Sequence, residues 1–209
     1  RVAAHLDIPF VFMDVTREYE QLVATKMIAE YKKGRTPNPD VLCNRDIKFG
    51  IFLKHALRHG ADFIATGHYA NVDEVTIKNS LNKNKGEHKS THTLSRGNDD
   101  SKDQAYFLWM LSEDELSRTL FPLGKMKKTE VRKIATKVGL PTAQKKDSQG
   151  ICFIGNINMK DFLLNYIEPE KGHVINDLGK VIGTHDGAVF FTIGERHGFT
   201  IFNHSPNDL

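Results

Sequence analysis

Apolar positions recur along the first sixty residues at two alternating spacings. "PFVFMDV" (9–15) is a run of aromatic and β-branched side chains short enough to read as a buried strand. From Thr16, a residue able to cap a helix, Val23, Met27 and Tyr31 recur at i, i+4, i+8. That spacing predicts a helix to about Lys33 with Gly34 as its stop. A second stripe of Phe49, Phe52, Leu53 and Ala56 predicts another helix, capped by Asn44 and ending at Gly60. "ADFIATGHYA" (61–70) reads as a further strand whose C-terminal edge turns at Gly67-His68. Strands alternating with helices predict an α/β domain with a mostly parallel sheet. Ligands of such sheets sit beyond the carboxyl ends of strands, which puts the Gly67-His68 turn where a site would be.

Residues 71–103 change character, being rich in Asn, Lys, Ser and Asp, and predict a weak hairpin of "VDEVTI" with "HTLSRG". "QAYFLWML" returns to an apolar helical pattern, and Ser112 with Glu115 forms a capping box for a helix to about Leu120. Thr129 is positioned to cap a further helix with Val131, Ile134, Ala135 and Val138 inward and Gly139 at its end. Beyond Gly155 one short helix, "MKDFLLNYI", gives way to short strands punctuated by glycine turns. The parse is therefore a domain over 1–153 and a small β-rich module over 154–209.

Composition narrows the class without choosing a function. A hydrophobic content of 39%, a charged content of 26% and a mean hydropathy of −0.42 fit an ordinary soluble globular protein. No apolar run approaches the ~18 residues of a membrane span. The start, "RVAAHLDIPF", has no secretory architecture, so the expected setting is the cytoplasm, or the mitochondrion in a eukaryote, with no membrane partner. A net charge of +3 permits a nucleic-acid partner and equally fits a solvated mixed-charge surface. With only Cys43 and Cys152, far apart in sequence, a disulfide scaffold is disfavoured and a reducing compartment expected. Without an initiator Met, and with a polar end after a strand-like run, the chain is expected to be a fragment.

Chemistry concentrates in a few stretches. In "GRTPNPDVLCNR" (34–45), Pro37 and Pro39 fix φ and push Thr36 and Asn38 into extended conformations. Asp40 and Cys43 are then expected to project from a stiff loop running into a helix N-terminus. There a thiolate gains support from the helix and from Arg45. Spacing alone leaves open whether Cys43 is reactive or a small buried apolar residue. Cys152, in "KKDSQGICFIG" (145–155), is open in the same way, since Ile151, Phe153 and Ile154 would suit a core. In "DDSKDQAYFLW" (99–109), Lys102, Asp103 and Gln104 are placed to meet phosphates and base edges, or simply to cap a helix turn. His88 and His92 have a ligand-like spacing but no cysteine partner nearby, and no bound metal is expected.

Taken together, "GRTPNPDVLCN" followed two residues on by "IKF", then "GADFIATGHYA", "SKDQAYFLW", "LFPLG", "VRKIA", "KKDSQGICFIG", "VIGTHDG" and "TIGERHG" resemble, in order, the tRNA-specific 2-thiouridylases of the MnmA/TrmU family. The resemblance runs through nearly the whole chain and thins at 71–98. It implies an adenine-nucleotide-hydrolase-like, Rossmann-like parallel sheet, truncated at its N-terminus, followed by a small β-rich central module. It implies ATP-dependent adenylation of the wobble uridine C2 oxygen, then sulfur transfer from a cysteine persulfide, giving 2-thiouridine, AMP and pyrophosphate. ATP, with Mg2+, would be the cofactor, and tRNA and a sulfur-relay donor protein the partners.

By motif position, Cys152 is implied as the persulfide carrier and Cys43 as the nucleophile that releases the sulfur, as sulfide or by forming a disulfide. Asn38, Pro39 and Asp40 fall where the family contacts the target base, with Asp40 a candidate acid/base. Gly67 matches an ATP contact; His68, Lys102, Asp103 and Gln104 match tRNA contacts. The family's Ser-Gly-Gly-Val-Asp-Ser phosphate loop does not occur in this sequence, nor does its C-terminal β-barrel, and "GERHG" stands where Gln-Arg-Lys-Gly is usual. The 209 residues alone are therefore expected to show no tRNA-dependent ATP–pyrophosphate exchange. Two other readings are a non-catalytic tRNA-binding fragment and a dithiol redox protein.

Overall fold

A computed structural model describes residues 1–78, 88–146, 155 and 158–202. The chain divides into two compact units, one of residues 1–22 and 40–148 and the other of 23–39 and 149–209. No helix among the described residues is long and apolar enough to cross a membrane.

After a short helix α1 (Val2–His5), residues 9–15 form no strand among the described residues. Phe10, Val11 and Phe12 are 78–79% exposed, against the expected buried strand. An apolar run requires a sheet partner as well as propensity, and no described strand pairs with this one. Helix α2 runs unbroken over 16–32, π-helical at Glu20–Ala24. Thr16 is the first residue of the helix rather than its cap, and its N–H and hydroxyl donate to the Asp14 carboxylate at 2.9 and 2.6 Å. Val23, Met27 and Tyr31 are buried as their spacing predicts, and Gly34 ends the helix with φ +72°.

Helix α3 spans 39–58 and opens at Pro39, where a fixed φ and a missing N–H are tolerated. Its central residues, Cys43–Phe52, are π-helical, a rare geometry that recurs at functional sites. In the first unit, Phe49 and Leu53 of α3 pack with Ile64, Ala70 and Leu108 into one core cluster, while Phe52 stays 41% exposed. Ile64–Ala65 (β1) pairs in parallel with Thr119–Leu120 (β4), so the strand expected over 61–70 shrinks to two residues before the 66–69 turn. Ala70–Lys78 (β2) and His88–Arg96 (β3) form the expected hairpin, with Val72 opposite Leu94 and Val75 opposite Thr91.

"QAYFLW" makes only a 3₁₀ turn at Ala105–Phe107. Helix α4 (Glu113–Ser117) carries the predicted capping box: the Ser112 N–H donates to the Glu115 carboxylate at 2.7 Å, and the Glu115 N–H to the Ser112 hydroxyl at 3.4 Å. Gly124 is held where a Cβ would fall 1.9 Å from the Ala70 carbonyl, so only glycine fits beside β2. Helix α5 (Lys128–Lys137) starts one residue before the expected cap, and its Ile134 and Val138 are each 49% exposed rather than inward.

In the second unit, helix α6 (Met159–Leu163) packs Leu163 against Met27 and Tyr31, with Val189 and Phe190 alongside. Three antiparallel strands, β5 (Gly172–Ile175), β6 (Val181–His185) and β7 (Thr200–Ile201), follow in the order β5-β6-β7.

Candidate functional site

The π-helical stretch of α3 gathers the chemistry of the first unit. Cys43 is fully buried in the second turn of α3, and Asp40 lies half-buried in the first. Neither projects from a loop, as the proline tract had suggested, because the helix begins at Pro39 and includes both. Arg45, expected to support the thiol, pairs with a neighbouring carboxylate. Its guanidinium grips Asp46 through Nε at 2.7 Å and Nη2 at 2.6 Å, and its remaining Nη1 lies 3.6 Å from the Met110 sulfur.

Asn44 was expected to cap the helix and instead ties it down. It is 2% exposed, and its Nδ2 donates to the Phe107 carbonyl at 3.2 Å, linking α3 to the Ala105–Phe107 turn. Its Oδ1 accepts from the Lys48 ammonium at 2.9 Å. Lys48 escaped the sequence reading because a lysine between Ile47 and Phe49 looks like a solvated position. The detectable signal was its i+4 spacing from Asn44, a neighbouring position on one helix face.

His68 stands across from this stretch, half-buried, with Nδ1 2.7 Å from the Thr66 hydroxyl and its ring 5.8 Å from Phe49 and 6.0 Å from Phe121. Burial pushes its pKa down to about 4; the Lys48 ammonium adds to the depression and the Asp40 carboxylate opposes it. At neutral pH His68 is therefore an uncharged hydrogen-bonding ring in the field of Lys48 and Asp40. Gly67 beside it is exposed, beyond the carboxyl end of β1, with no heavy atom nearer its Cβ position than the Leu123 methyl at 3.9 Å. That open backbone fits the approach of a nucleotide at a strand end.

Lys102, Asp103 and Gln104 are half-buried on the loop leading into the 3₁₀ turn. Asp103 turns inward, accepting from the Gly97 and Ala105 N–H groups at 3.0 and 3.2 Å and from Arg96 Nε at 3.1 Å. These bonds outweigh desolvation and hold its carboxyl below the usual range. Gln104 clasps the backbone of Tyr69, next to His68, through Oε1 at 3.1 Å and through its own N–H at 2.9 Å. The structure thus brings Asp40, Lys48 and His68 into one electrostatic neighbourhood and anchors Asp103 and Gln104 close to the His68 turn. Asn38 is exposed and Pro39 half-buried at the last positions of the second unit's first segment. Cys152 lies outside the described residues, as do Asp147 and Ser148.

Comparison with known proteins defines the class. The family model of the tRNA methyl transferase HUP domain matches residues 1–156, and that of the tRNA methyl transferase PRC-barrel domain matches 160–207. The chain belongs to this family, with the adenine-nucleotide-hydrolase-like α/β fold of a HUP domain ahead of a β-rich module. It is 50% identical over 201 residues to the tRNA-specific 2-thiouridylase MnmA of Listeria welshimeri, covering 96% of this chain and 51% of the relative. It is 48% identical to the proteins of that name from Bacillus mycoides and Enterococcus faecalis, covering 96% of this chain and 50% of each relative. The chain spans about half the length of the curated relatives it matches.

Proposed function

We propose that the protein makes 2-thiouridine in tRNA. The observation that carries this reading is the near-50% identity to three 2-thiouridylases over a span that includes both cysteine positions. A pair of thiols also suits sulfur transfer better than the methyl transfer in the family model's description.

In this reading residues 1–153 form the catalytic domain and 154–209 the tRNA-facing module. The wobble uridine leaves its stack to meet Asn38, Pro39 and Asp40. Gly67 would lie against ATP, which with Mg2+ would supply the adenylyl group that turns the C2 oxygen into a leaving group. A sulfur-relay donor loads Cys152 as a persulfide. The Cys43 thiolate attacks the inner sulfur of that persulfide, forming a Cys43–Cys152 disulfide and releasing hydrosulfide. Hydrosulfide adds at C2 and AMP leaves, giving 2-thiouridine; external thiols then reduce the disulfide. Asp40 takes the proton shed during addition, and His68, Lys102, Asp103 and Gln104 form the tRNA-facing edge of the site.

Trapping the persulfide tests this sequence of steps. The full-length protein with ATP, tRNA and a persulfide donor is quenched with an alkylating agent, and the Cys152 peptide is weighed. Cys43→Ser is expected to leave the extra sulfur on Cys152 and form no thiouridine. Turnover of that variant at the unchanged rate would overturn the assignment of Cys43.

A further inference from the structure

The basic face of α5 has no part in the chemistry above. Residues 125–146 hold Glu130 as their single acid among a run of lysines and Arg132. Even that acid is occupied, its carboxylate accepting from the Lys127 N–H at 2.9 Å at the helix start. Thr129, Arg132, Lys133, Thr136 and Lys137 recur at i, i+3, i+4, i+7, i+8 and line, with Gln144, a groove of about 400 Å³.

Arg132 builds the groove's wall. Its two terminal nitrogens each donate at 2.7 Å, one to the Ala143 carbonyl and one to the Lys145 carbonyl, which fixes the strand of chain bearing Gln144 alongside the helix. Lys133 and Lys137, one turn apart and exposed, have no carboxylate partner among the described residues. Thr129, Thr136 and Gln144 add neutral donors on the same face. A shallow, open strip of cations and neutral donors with no acid in its lining matches a chain of phosphodiesters, which needs charge neutralisation and hydrogen bonds without base-specific geometry. The apolar residues Ile134 and Val138 lie on the other side of the helix and do not enter the groove.

We propose that the α5 groove is a track for the tRNA phosphate backbone, with Lys133 and Lys137 as the neutralising cations. This rests on the tRNA reading above and adds a second contact surface to it. Each lysine contributes through counterion release, so its loss lowers affinity at low salt and flattens the salt dependence, whatever the RNA sequence.

The test is the affinity of the full-length protein for tRNA, measured by fluorescence anisotropy across a range of salt from about 50 mM to about 1 M. Lys133→Ala/Lys137→Ala is expected to reduce the log–log slope by about 2 and to weaken binding on the order of 10- to 100-fold at 50 mM salt. Lys133→Arg/Lys137→Arg is expected to keep both. Lys54→Ala/Arg58→Ala on α3 removes the same charge elsewhere and is expected to leave the slope within about 0.5 of the unaltered protein. Circular dichroism confirms that each variant is folded. An unchanged slope in the Lys133/Lys137 alanine pair, or an equal fall in the α3 pair, overturns the groove and leaves the tRNA reading standing. Failure of the unaltered full-length protein to bind tRNA overturns both.

Discussion

Gln104 holds both backbone polar groups of Tyr69: its Oε1 accepts from the Tyr69 N–H at 3.1 Å, and its own N–H donates to the Tyr69 carbonyl at 2.9 Å. Tyr69 is 4% exposed, so no water replaces a lost partner cheaply. Gln104→Ala is expected to destabilise the chain by about 1–3 kcal/mol, read by denaturant unfolding. Gln104→Glu, which keeps the acceptor, is expected to lose less. Equal losses would mean that the side-chain oxygen does not anchor the turn carrying His68.

Gly124 lies under β2 with the Ala70 carbonyl 1.9 Å from where a Cβ would stand and the Asn71 Oδ1 2.3 Å from it. Backbone cannot yield there without breaking the bond from the Asn98 N–H to the Gly124 carbonyl (2.8 Å). Gly124→Ala is expected to cost about 2 kcal/mol or more, where an exposed Gly→Ala change costs little. A thermal melt within a degree of the unchanged chain would contradict the close approach.

The depressed pKa of His68 carries a pH signature. Its folded value of about 4 lies below the ordinary 6.5, so the unfolded chain binds the extra proton across that window. Stability from this group is complete above pH 6.5 and is lost as pH falls toward 4, with a slope approaching about 1.4 kcal/mol per pH unit. His68→Gln is expected to flatten that part of the curve. By NMR titration of the His68 ring, Lys48→Met is expected to raise its pKa and Asp40→Asn to lower it further, opposite signs from opposite charges. Shifts of the same sign would show that the two charges do not act on the ring as placed.

Cys43 is fully buried in this structure. Its alkylation, followed on the Cys43 peptide, is expected to be slower in the folded chain than in denaturant by about tenfold or more, because attack waits on local opening. If sulfur transfer uses this thiol, tRNA binding is expected to speed its alkylation. Rapid modification of the free folded chain would contradict the burial.

Much of this was legible in the order of residues. The Val23, Met27, Tyr31 stripe, the Ser112–Glu115 capping box and the β2–β3 hairpin follow from local periodicity and turn chemistry, which need no distant partner. The run at 9–15 was misread because apolar character expresses a demand for burial and says nothing of what meets it. The π-helical stretch at Cys43–Phe52 was invisible, since a shift of the hydrogen-bond ladder leaves no mark in a hydrophobic period. That shift matters for the site. Asn44, by residue type a cap, became a buried link to Phe107, and Lys48, by type a surface lysine, became the cation facing His68. The proline tract, the strand-end turn and the family resemblance singled out Asp40 and His68 as candidates, while their common electrostatic neighbourhood depended on tertiary packing.

The two-thiol account meets its most direct test in the tRNA itself. Nucleosides from the tRNA of cells whose full-length protein carries Cys43→Ser or Cys152→Ser are weighed by mass spectrometry beside those of unaltered cells. Wobble 2-thiouridine is expected to vanish in both variants, with the unmodified uridine in its place. Unchanged 2-thiouridine in the Cys152→Ser cells would contradict the sulfur-transfer assignment.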